Sequence, residues 1–258
     1  MQEKVSNSDT MNPTTNAPGK DPYRGRDPRE LPAYTTFEAA RYLRIPERTL
    51  FAWSFGRNCR VGGGQRRTQS PLIRVASKDK HLLSFTNIAE LHVLDALRRI
   101  HRIRMPKIRR TVLYLGREFR TEHPLIHQEM WTDGLNLFVD YYGNLLNVSR
   151  EGQLAMRQLV EAHLQRIDRD ATGVVRLFPL TRKRPATVER MATEPRVITM
   201  DPRVAFGRPT IVGSRIPTSE IAERFKAGDS FTDLADDFKR PIEEIEEAVR
   251  IELDLDAA

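Results

Sequence analysis

The stretch YTTFEAARYLRIPERTLFAWSFG, residues 34–56, has the pattern of two short helices joined by a tight turn. Thr35 and Glu38 have the spacing of a capping box, which favours the start of a helix at that point. Apolar residues then recur three or four positions apart, so the spacing predicts a helix over about 36–43. Pro46 suits the first position of a second helix, because it lacks the amide hydrogen that a helix start leaves unpaired. Together these signals predict a helix-turn-helix.

A helix-turn-helix indicates a contact with DNA, because its second helix can enter the major groove. Arg48 and Thr49 fall on the side of the second helix that lies away from the apolar Leu50 and Trp53, where they can reach base edges and phosphates. The candidate DNA-binding residues are Thr35, Thr36, Arg44, Arg48, Thr49, Arg57, Arg66, Arg67 and Arg74.

The stretch GRNCRVGGGQRRTQSPLIRVASKDKHLLSF, residues 56–85, predicts a β-hairpin after these helices. Apolar residues alternate over 72–75 and again over 82–85, and three glycines with an arginine pair indicate a flexible, cationic tip. Such a hairpin has the layout of a wing that contacts the sugar-phosphate backbone. Further amphipathic helices are predicted to open near 84–86 and to run over 105–119.

Positive charge is concentrated in this part of the chain. Residues 34–120 contain 19 Lys and Arg against 6 Asp and Glu, a net charge of +13, whereas the whole chain of 258 residues carries +7. A basic block of this kind is the electrostatic footprint of a module that binds a polyanion. We expect DNA as the partner, with RNA or an acidic protein surface as the alternatives.

YTTFEAARYLRIPERTLFAW, followed by the predicted wing and by LSFTNIAELHVLDALRRIHRIRMPKIRRTVLYL, resembles a MerR-type winged helix-turn-helix. It resembles still more closely the DNA-binding half of a group of bacterial VapB-type antitoxins. The resemblance covers roughly residues 34–120. MerR regulators usually continue into a long dimerising coiled coil, whereas this chain continues with a segment that is predicted to be rich in hairpins.

Residues 121–180 are expected to form a middle segment that supplies core and subunit contacts. Turn signals that contain glycine flank strands predicted near 135–141 and 145–149. A helix is predicted over about 152–167, and one more strand over 174–180.

The sequence predicts neither a metal site nor a cofactor. Cys59 is the only cysteine, which excludes an intrachain disulfide and a cysteine-rich zinc site. His123 and His127 are four residues apart, but Pro124 follows the first and no glutamate stands between them, so a hydrolytic zinc motif is not expected.

No nucleophile, base and orienting group can be named together, so we expect that the protein is not an enzyme. Without an apolar run long enough for a signal peptide or a membrane span, a cytoplasmic protein is expected.

The stretch FGRPTIVGSRIPTSEIAERFKAGDS, residues 206–230, has glycines and arginines just ahead of a predicted helix, as a phosphate-binding loop would. A Walker-type loop requires a lysine followed by Ser or Thr at the helix start, which is missing, and Pro217 removes one of the amide donors. The pattern instead predicts a hairpin after a strand at 197–200, and then three short helices. Gly228 ends the first of these, and a capping box at Ser230 opens the second.

DPRVAFGRPTIVGSRIPTSEIAERFKAGDSFTDLADDF, with IEEIEEAVRIEL after it, resembles the antitoxin family known as domain of unknown function 433 over residues 196–253. Members are commonly encoded beside PIN-like ribonuclease toxins. The resemblance therefore implies an antitoxin that binds its toxin and represses its own operon through its DNA-binding part. A PIN active site is acidic and binds Mg²⁺, so an arginine or steric cover suits inhibition better than a carboxylate. Arg208 and Arg215 are the candidate toxin-binding residues.

The fold class expected from these patterns is α+β, mainly α. The predicted divisions are a disordered arm at 1–33, a winged helix-turn-helix domain at 34–120, the middle segment at 121–180, a linker at 181–195 and a three-helix, helix-turn-helix-like domain at 196–258. A homodimer is expected, since tandem half-sites in DNA normally mirror protein symmetry. Two alternatives stay open: a stand-alone MerR-like transcriptional regulator that senses a small ligand, and a nucleotide-dependent enzyme.

Overall fold

A computed structural model describes residues 22–60, 66–99, 105–146, 149–182 and 193–253. Within these residues the fold is mainly helical, with three small antiparallel sheets of two strands each. The α-helices are α1 (Thr36–Leu43), α2 (Glu47–Ser54), α3 (Phe85–Arg99), α4 (Met105–Glu118), α5 (Asp133–Leu146), α6 (Arg150–Leu164), α7 (Thr218–Lys226), α8 (Phe231–Phe238) and α9 (Ile242–Leu253). The strands are β1 (Arg57–Arg60), β2 (Arg66–Gln69), β3 (Ile167–Asp170), β4 (Gly173–Leu177), β5 (Ile198–Thr199) and β6 (Thr210–Ile211).

The two helices predicted for the helix-turn-helix, α1 and α2, are confirmed. The Thr35 hydroxyl accepts a hydrogen bond from the Glu38 amide, and the Glu38 carboxylate accepts one from the Thr35 amide, so the predicted capping box is present. Arg44 ends α1 in the left-handed conformation, with φ of 55°. This turn brings Leu50 and Trp53 of α2 into the core.

A hairpin follows α2, but its strands lie earlier in the chain than the apolar pattern predicts. β1 pairs antiparallel with β2. Residues 72–75 form no strand, and Phe85 begins α3. The alternation there arises because Ile73 and Val75 point into the core from an irregular segment. The predicted tip of the wing, residues 61–65, lies outside the described residues.

The prediction of strands near 135–141 and 145–149 is wrong, because the helix α5 runs through this stretch as far as Leu146. Leu135, Phe138 and Val139 are buried and recur at the three- and four-residue spacing of one helix face. Burial of that face outweighs the β propensity of the aromatic and branched residues. The middle segment is therefore more helical than predicted.

Gly134 lies at the start of α5 rather than in a turn. A Cβ atom at this position would overlap the carbonyl of Glu129 and the ring of Phe119, so the glycine permits close packing.

The predicted helix at 152–167 is present as α6, a few residues earlier, and the predicted strand at 174–180 is present as β4. Its partner β3 was not predicted.

The C-terminal part contains the short hairpin β5–β6 and the helices α7, α8 and α9. α8 begins with a capping box, in which the Ser230 hydroxyl accepts from the Asp233 amide and the Asp233 carboxylate accepts from the Ser230 amide. Gly228, with φ of 111°, lies in the turn between α7 and α8. That conformation is one that residues with side chains rarely adopt.

One apolar core extends through the N-terminal, middle and C-terminal parts of the described chain. α3 lies at its centre: residues 85–97 are all buried, and the helix contacts α1, α6 and β4. Residues 22–33, the end of the predicted arm, also contact this body, since the Tyr23 hydroxyl donates to the Pro202 carbonyl at 2.6 Å. The rest of the arm and most of the predicted linker lie outside the described residues.

Candidate DNA-binding surface

α2 has one buried side and one side that faces solvent. Leu50 is fully buried and Trp53 is 5% exposed. Arg48 is exposed and makes no hydrogen bond or ion pair within the described residues, and Thr49 beside it is half-buried. A guanidinium without an internal partner can contact a phosphate or a guanine edge without first breaking a bond. The outer side of α2 is therefore chemically suited to DNA.

The hairpin β1–β2 carries three more of the predicted residues. Arg57 is exposed, and its Nε donates to Oε1 of Gln69 on the opposite strand at 2.8 Å. Arg66 and Arg67 open β2, with Arg66 paired to Arg60 of β1. The hairpin therefore carries basic residues in the part of the chain that directly follows α2.

Thr35 and Thr36 are engaged at the start of α1. The Thr35 hydroxyl belongs to the capping box and lies 2.9 Å from Oε2 of Glu38. The Thr36 hydroxyl donates to Oε1 of Glu47 at 3.0 Å, which ties the start of α1 to the start of α2. Thr35 thus caps α1 and Thr36 joins α1 to α2. Their contact with DNA stays a prediction.

Arg44 points into the protein. Its Nη2 atom donates to the carbonyl of Thr181 at 2.7 Å and to the carbonyl of Arg250 at 2.8 Å. The first acceptor follows the β3–β4 hairpin, and the second belongs to α9. Arg44 therefore joins the turn of the helix-turn-helix to the C-terminal helix, and these bonds would have to break before it could reach a phosphate.

Acidic residues of α9 complete this junction. Glu252, which is 7% exposed, lies 2.8 Å from Nη2 of Arg41 on α1. Glu247, which is 2% exposed, lies 2.9 Å from Nη2 of Arg182 and also receives a hydrogen bond from Arg250. Buried carboxylates are tolerated when they are paired in this way. The pair of Glu252 with Arg41 therefore joins α9 to the helix-turn-helix, whereas Glu247 joins α9 to the segment that follows β4.

Arg74 forms an ion pair with Glu122. The two side chains are 63% and 61% exposed, so the pair contributes little to stability. Arg74 can therefore exchange this carboxylate for a phosphate at small cost.

The two candidate toxin-binding arginines have different surroundings. Nη1 of Arg208 lies 3.3 Å from Oε1 of Glu38, which links the loop before β6 to the start of α1. Arg215 is exposed and has neither an ion pair nor a hydrogen bond to its side chain in the part of the chain that the structure describes. Phe206 is 68% exposed, and the sequence patterns did not single it out. Exposed aromatic and arginine side chains are the types that dominate protein-binding surfaces.

A histidine and a buried carboxylate form a pair against α3. Nδ1 of His123 lies 2.8 Å from Oε2 of Glu90, which is 1% exposed. Burial raises the pKa of Glu90, against the opposing effect of His123. Burial by itself lowers the pKa of His123, but the hydrogen bond to Glu90 and its charge outweigh this effect, so the pKa of His123 is raised.

The described ranges contain neither a metal-binding cluster nor a membrane-spanning helix. No group of three or more His, Cys, Asp or Glu residues there is arranged to hold a metal ion. None of the helices in those ranges combines the length and the apolar character needed to cross a membrane.

Two parts of the chain match known family models. Residues 32–112 match the model described as "Putative DNA-binding HTH domain", and residues 198–250 match "Protein of unknown function (DUF433)". The first match contains α1, α2, the β1–β2 hairpin and α3, and the second contains β5, β6, α7 and α8 and most of α9. The helix-turn-helix geometry and the family model therefore agree on the same residues.

The chain is also similar to individual proteins over most of its length. It is 29% identical over 224 residues to "Putative antitoxin VapB45" of Mycobacterium tuberculosis (strain ATCC 25618 / H37Rv), in an alignment that covers 81% of this chain and 89% of that relative. The crystal structure of Rv2018 from Mycobacterium tuberculosis has a similar fold, with a TM-score of 0.60 and 23% identity. That alignment covers 85% of this chain and 98% of the solved one. The chain is thus a homologue of this VapB45 protein over most of its length.

Proposed function

We propose that this protein is the antitoxin of a type II toxin-antitoxin pair. It binds operator DNA through residues 34–120 and represses its own operon. It neutralises a PIN-like ribonuclease toxin by direct contact with its C-terminal part. The similarity to the protein named "Putative antitoxin VapB45" over most of the chain, together with the match to a helix-turn-helix family model over residues 32–112, supports both halves of this proposal.

The observation that carries the DNA-binding half is the outer side of α2, where Arg48 is exposed and has no partner among the described residues. In a MerR-like arrangement α2 enters the major groove, with Arg48 and Thr49 at the base edges. The β1–β2 hairpin then lies on the sugar-phosphate backbone as a wing, with Arg57, Arg66 and Arg67 at phosphates. Arg44 is left out of this interface, because its guanidinium is already bonded to two carbonyls.

The toxin-binding half rests on the C-terminal part. Arg215 is exposed and without a partner in the described chain, and Phe206 offers an exposed ring. An arginine can neutralise carboxylates that would otherwise hold Mg²⁺ in a PIN active site. Arg208 is a weaker candidate than Arg215, since Glu38 already lies 3.3 Å from it.

Salt dependence tests the DNA-binding half. If the interface engages roughly 6 to 10 phosphates, affinity for the promoter of its own gene should fall by about 10³ to 10⁵ between 50 and 200 mM salt. The measurement is fluorescence anisotropy with a labelled promoter fragment, and a random duplex of equal length serves as the control. A complex that is insensitive to salt, or equal affinity for both duplexes, would contradict the proposal.

Co-expression with the product of the adjacent gene tests the toxin-binding half. We expect the two proteins to co-purify and this chain to restore growth to cells that the partner alone inhibits. Arg215→Glu should weaken the complex, because it places a carboxylate against an acidic active site. Arg203→Glu, at another exposed arginine before β6, is the matched control and should leave the complex intact. Failure to co-purify with a ribonuclease encoded alongside would contradict this half.

A homodimer is part of the proposal, because operators of helix-turn-helix proteins usually have two half-sites. Light scattering on the purified protein, alone and with promoter DNA, measures the stoichiometry. A single protomer on one half-site would remove the dimer from the proposal and leave DNA binding in place.

A stand-alone MerR-like regulator that senses a small ligand is the second candidate. A polar cavity of about 350 Å³ beside α3 favours it. Under this alternative the chain binds its promoter but no protein encoded beside it. The co-expression experiment separates the two, since a stable complex with an adjacent toxin is expected only of the antitoxin.

A further inference from the structure

The cavity of about 350 Å³ lies between the end of the N-terminal arm, α3, the turns that follow α4, and the β3–β4 hairpin. Residues on its wall include Arg29, Glu30, Thr86, Thr121, His127 and Arg169. A cavity of this size can hold a small metabolite, and its polar groups come from segments far apart in sequence.

Arg169, on β3, contributes a guanidinium with no hydrogen-bond acceptor in the described part of the chain. Its Cζ atom lies 4.3 Å from the centre of the Trp131 ring, a cation–π contact that orients the guanidinium without using its N–H donors. Its Nε atom is buried and has no partner among those residues. Burial also lowers the pKa of Arg169. Arg169 lines this cavity and also a second one, which it shares with Trp131. An anion in the cavity of about 350 Å³ would supply an acceptor for the N–H groups of the guanidinium.

The pairing of β3 with β4 is irregular at this residue. The register shifts between Asp168 and Arg169, which leaves Val175 of β4 without a partner in β3. A bulge of this kind bends a strand and redirects the neighbouring side chains. The irregularity therefore occurs at the arginine that carries the free guanidinium.

Arg29, the other arginine on the wall, is already neutralised. Its Nε atom lies 2.9 Å from both carboxylate oxygens of Asp27, and its Nη1 donates to the Thr172 carbonyl at 2.7 Å. Glu30 accepts a hydrogen bond from the Thr86 hydroxyl. His123 also lines the cavity, with Nε2 4.0 Å from Oε2 of Glu30 and Nδ1 2.8 Å from Oε2 of Glu90. Of the cationic side chains on the wall, Arg169 is therefore the one without a carboxylate partner among the described residues.

His127 provides a second unsatisfied group on the same wall. Its Nδ1 atom is buried and unpaired within the described ranges, and its ring stacks on Phe119 with centroids 5.5 Å apart. Buried polar atoms in folded proteins nearly always have a partner, so water or a ligand has to supply one here. An imidazole N–H and a guanidinium are both donors, which suits one acceptor group of negative charge.

We propose that this cavity binds a small metabolite through an oxyanion, either a carboxylate or a phosphate group, with Arg169 and His127 as the donors. The proposal goes beyond the antitoxin function, because neither DNA binding nor toxin neutralisation requires such a ligand. It also names the class of ligand that the second candidate, a ligand-sensing regulator, would bind. Since the wall includes Thr86 of α3, the bound anion would join the helix-turn-helix part to the β3–β4 hairpin.

Calorimetric titration of the full chain tests the proposal, with inorganic phosphate and succinate as probes and sodium chloride at matched ionic strength as the blank. We expect saturable binding of one anion per chain for at least one probe. Arg169→Gln should weaken that binding at least about tenfold, whereas Arg150→Gln, at an exposed arginine outside the cavity, should leave it unchanged. His127→Phe keeps a ring against Phe119 and removes the nitrogen, so it tests the site even if the arginine variant fails to fold.

Each outcome either supports or overturns the proposed anion site. Tighter binding of phosphate assigns the ligand to phosphate esters, and tighter binding of succinate assigns it to organic acids. Saturable binding that Arg169→Gln and His127→Phe leave unchanged would overturn the site. Lack of saturable binding by either probe would also overturn it, and would mean that water satisfies these groups.

Discussion

The environment of Arg44 predicts that this arginine stabilises the fold, whereas Arg48, four positions later, contacts DNA. Both are basic residues of the same helix-turn-helix, and from sequence both are candidates for DNA binding. Arg44 donates to the carbonyls of Thr181 and Arg250, while Arg48 has no partner in the described chain. Substitution of Arg44 should therefore lower the stability of the fold, whereas substitution of Arg48 should lower the affinity for DNA.

The magnitude for Arg44→Met follows from its two bonds. A hydrogen bond from a charged group contributes about 1.5–3 kcal/mol, so the pair sets an upper bound of about 3–6 kcal/mol. Because Arg44 is half-buried and methionine keeps the apolar stem, water can reach part of the site. We expect the free energy of unfolding to fall by about 2–4 kcal/mol. For the exposed Arg48, Arg48→Ala should change it by less than about 0.5 kcal/mol.

The two substitutions should affect DNA affinity in the opposite order, with the larger loss in the Arg48 variant. Arg48→Ala should cost about 1–3 kcal/mol of binding free energy for the promoter, which is a Kd about 5- to 150-fold higher. Arg44→Lys is the informative companion variant, since lysine keeps the charge that a phosphate needs but cannot reproduce the bonds to both carbonyls. We expect Arg44→Lys to lower stability while promoter affinity at low temperature stays close to that of the wild type.

Urea denaturation followed by circular dichroism gives the stabilities, and anisotropy with the promoter fragment gives the affinities. Unchanged stability in Arg44→Met would refute the structural role of Arg44. A promoter affinity that falls in Arg44→Met and recovers in Arg44→Lys would identify it as a phosphate contact. Unchanged affinity in Arg48→Ala would refute the assignment of α2 to the groove.

Three further predictions concern the fold around these surfaces. Arg166→Met should lower the free energy of unfolding, measured by urea denaturation, by about 3–5 kcal/mol, because the buried guanidinium donates to four backbone carbonyls. A loss below about 1 kcal/mol would contradict this role. Glu90→Gln should lower the pKa of His123, followed through its ring protons by NMR, and an unchanged pKa would be inconsistent with the pair. Because the pKa of His123 is raised in the folded state, its protonation stabilises the fold, and this contribution is fully present below about pH 6.5. The contribution is lost as the pH rises through the folded pKa. The wild type should therefore lose more stability than Glu90→Gln between about pH 6 and 8. Gly207→Ala should lower the thermal unfolding temperature, because φ is 82° and a Cβ would overlap the Tyr34 hydroxyl. Tyr34→Phe removes that hydroxyl and its bond to the Gly207 carbonyl, so the loss from Gly207→Ala should be smaller in the Tyr34→Phe background than in the wild type; equal losses would exclude the steric reason.

The parts of the fold that were predictable depend on signals carried by neighbouring residues. The capping boxes at Thr35 and Ser230 are each contained within four residues, and Pro46 marks the start of α2 by its own chemistry. Such signals do not depend on the rest of the chain, so the helix starts that they mark agree closely with the structure.

The error at α5 arose where local signals conflict. DGLNLFVDYYGNLL contains two glycines and many residues with β propensity, and it also repeats its apolar residues at helical spacing. The conflict is decided by packing, because Phe138 and Val139 reach the core only from a helix. Gly134, which resembles a turn residue, is required by the closeness of Glu129 and Phe119 instead.

The candidate site was predictable as a surface and not residue by residue. The acceptors of Arg44 lie 137 and 206 residues further along the chain, so no local pattern distinguishes it from Arg48. Likewise, no periodicity indicates that Arg169 of β3 and His127 line one cavity. The sequence composition predicts the sign and the number of the charges on this surface. The partner of each charged side chain depends on long-range packing, which no local pattern predicts.

The bonds of Arg44 also constrain how the two halves of the proposed function can affect each other. The turn before α2 is bonded to α9, and α1 and α9 share the ion pair of Arg41 with Glu252, so the DNA-binding and C-terminal parts form one packed body. A toxin bound to the C-terminal part can change DNA affinity only if it favours a different arrangement of these contacts. By thermodynamic linkage, DNA must then change toxin affinity by the same factor. A toxin that neither contacts the DNA nor alters the bonds of Arg44 should therefore bind the free and the DNA-bound protein with equal affinity.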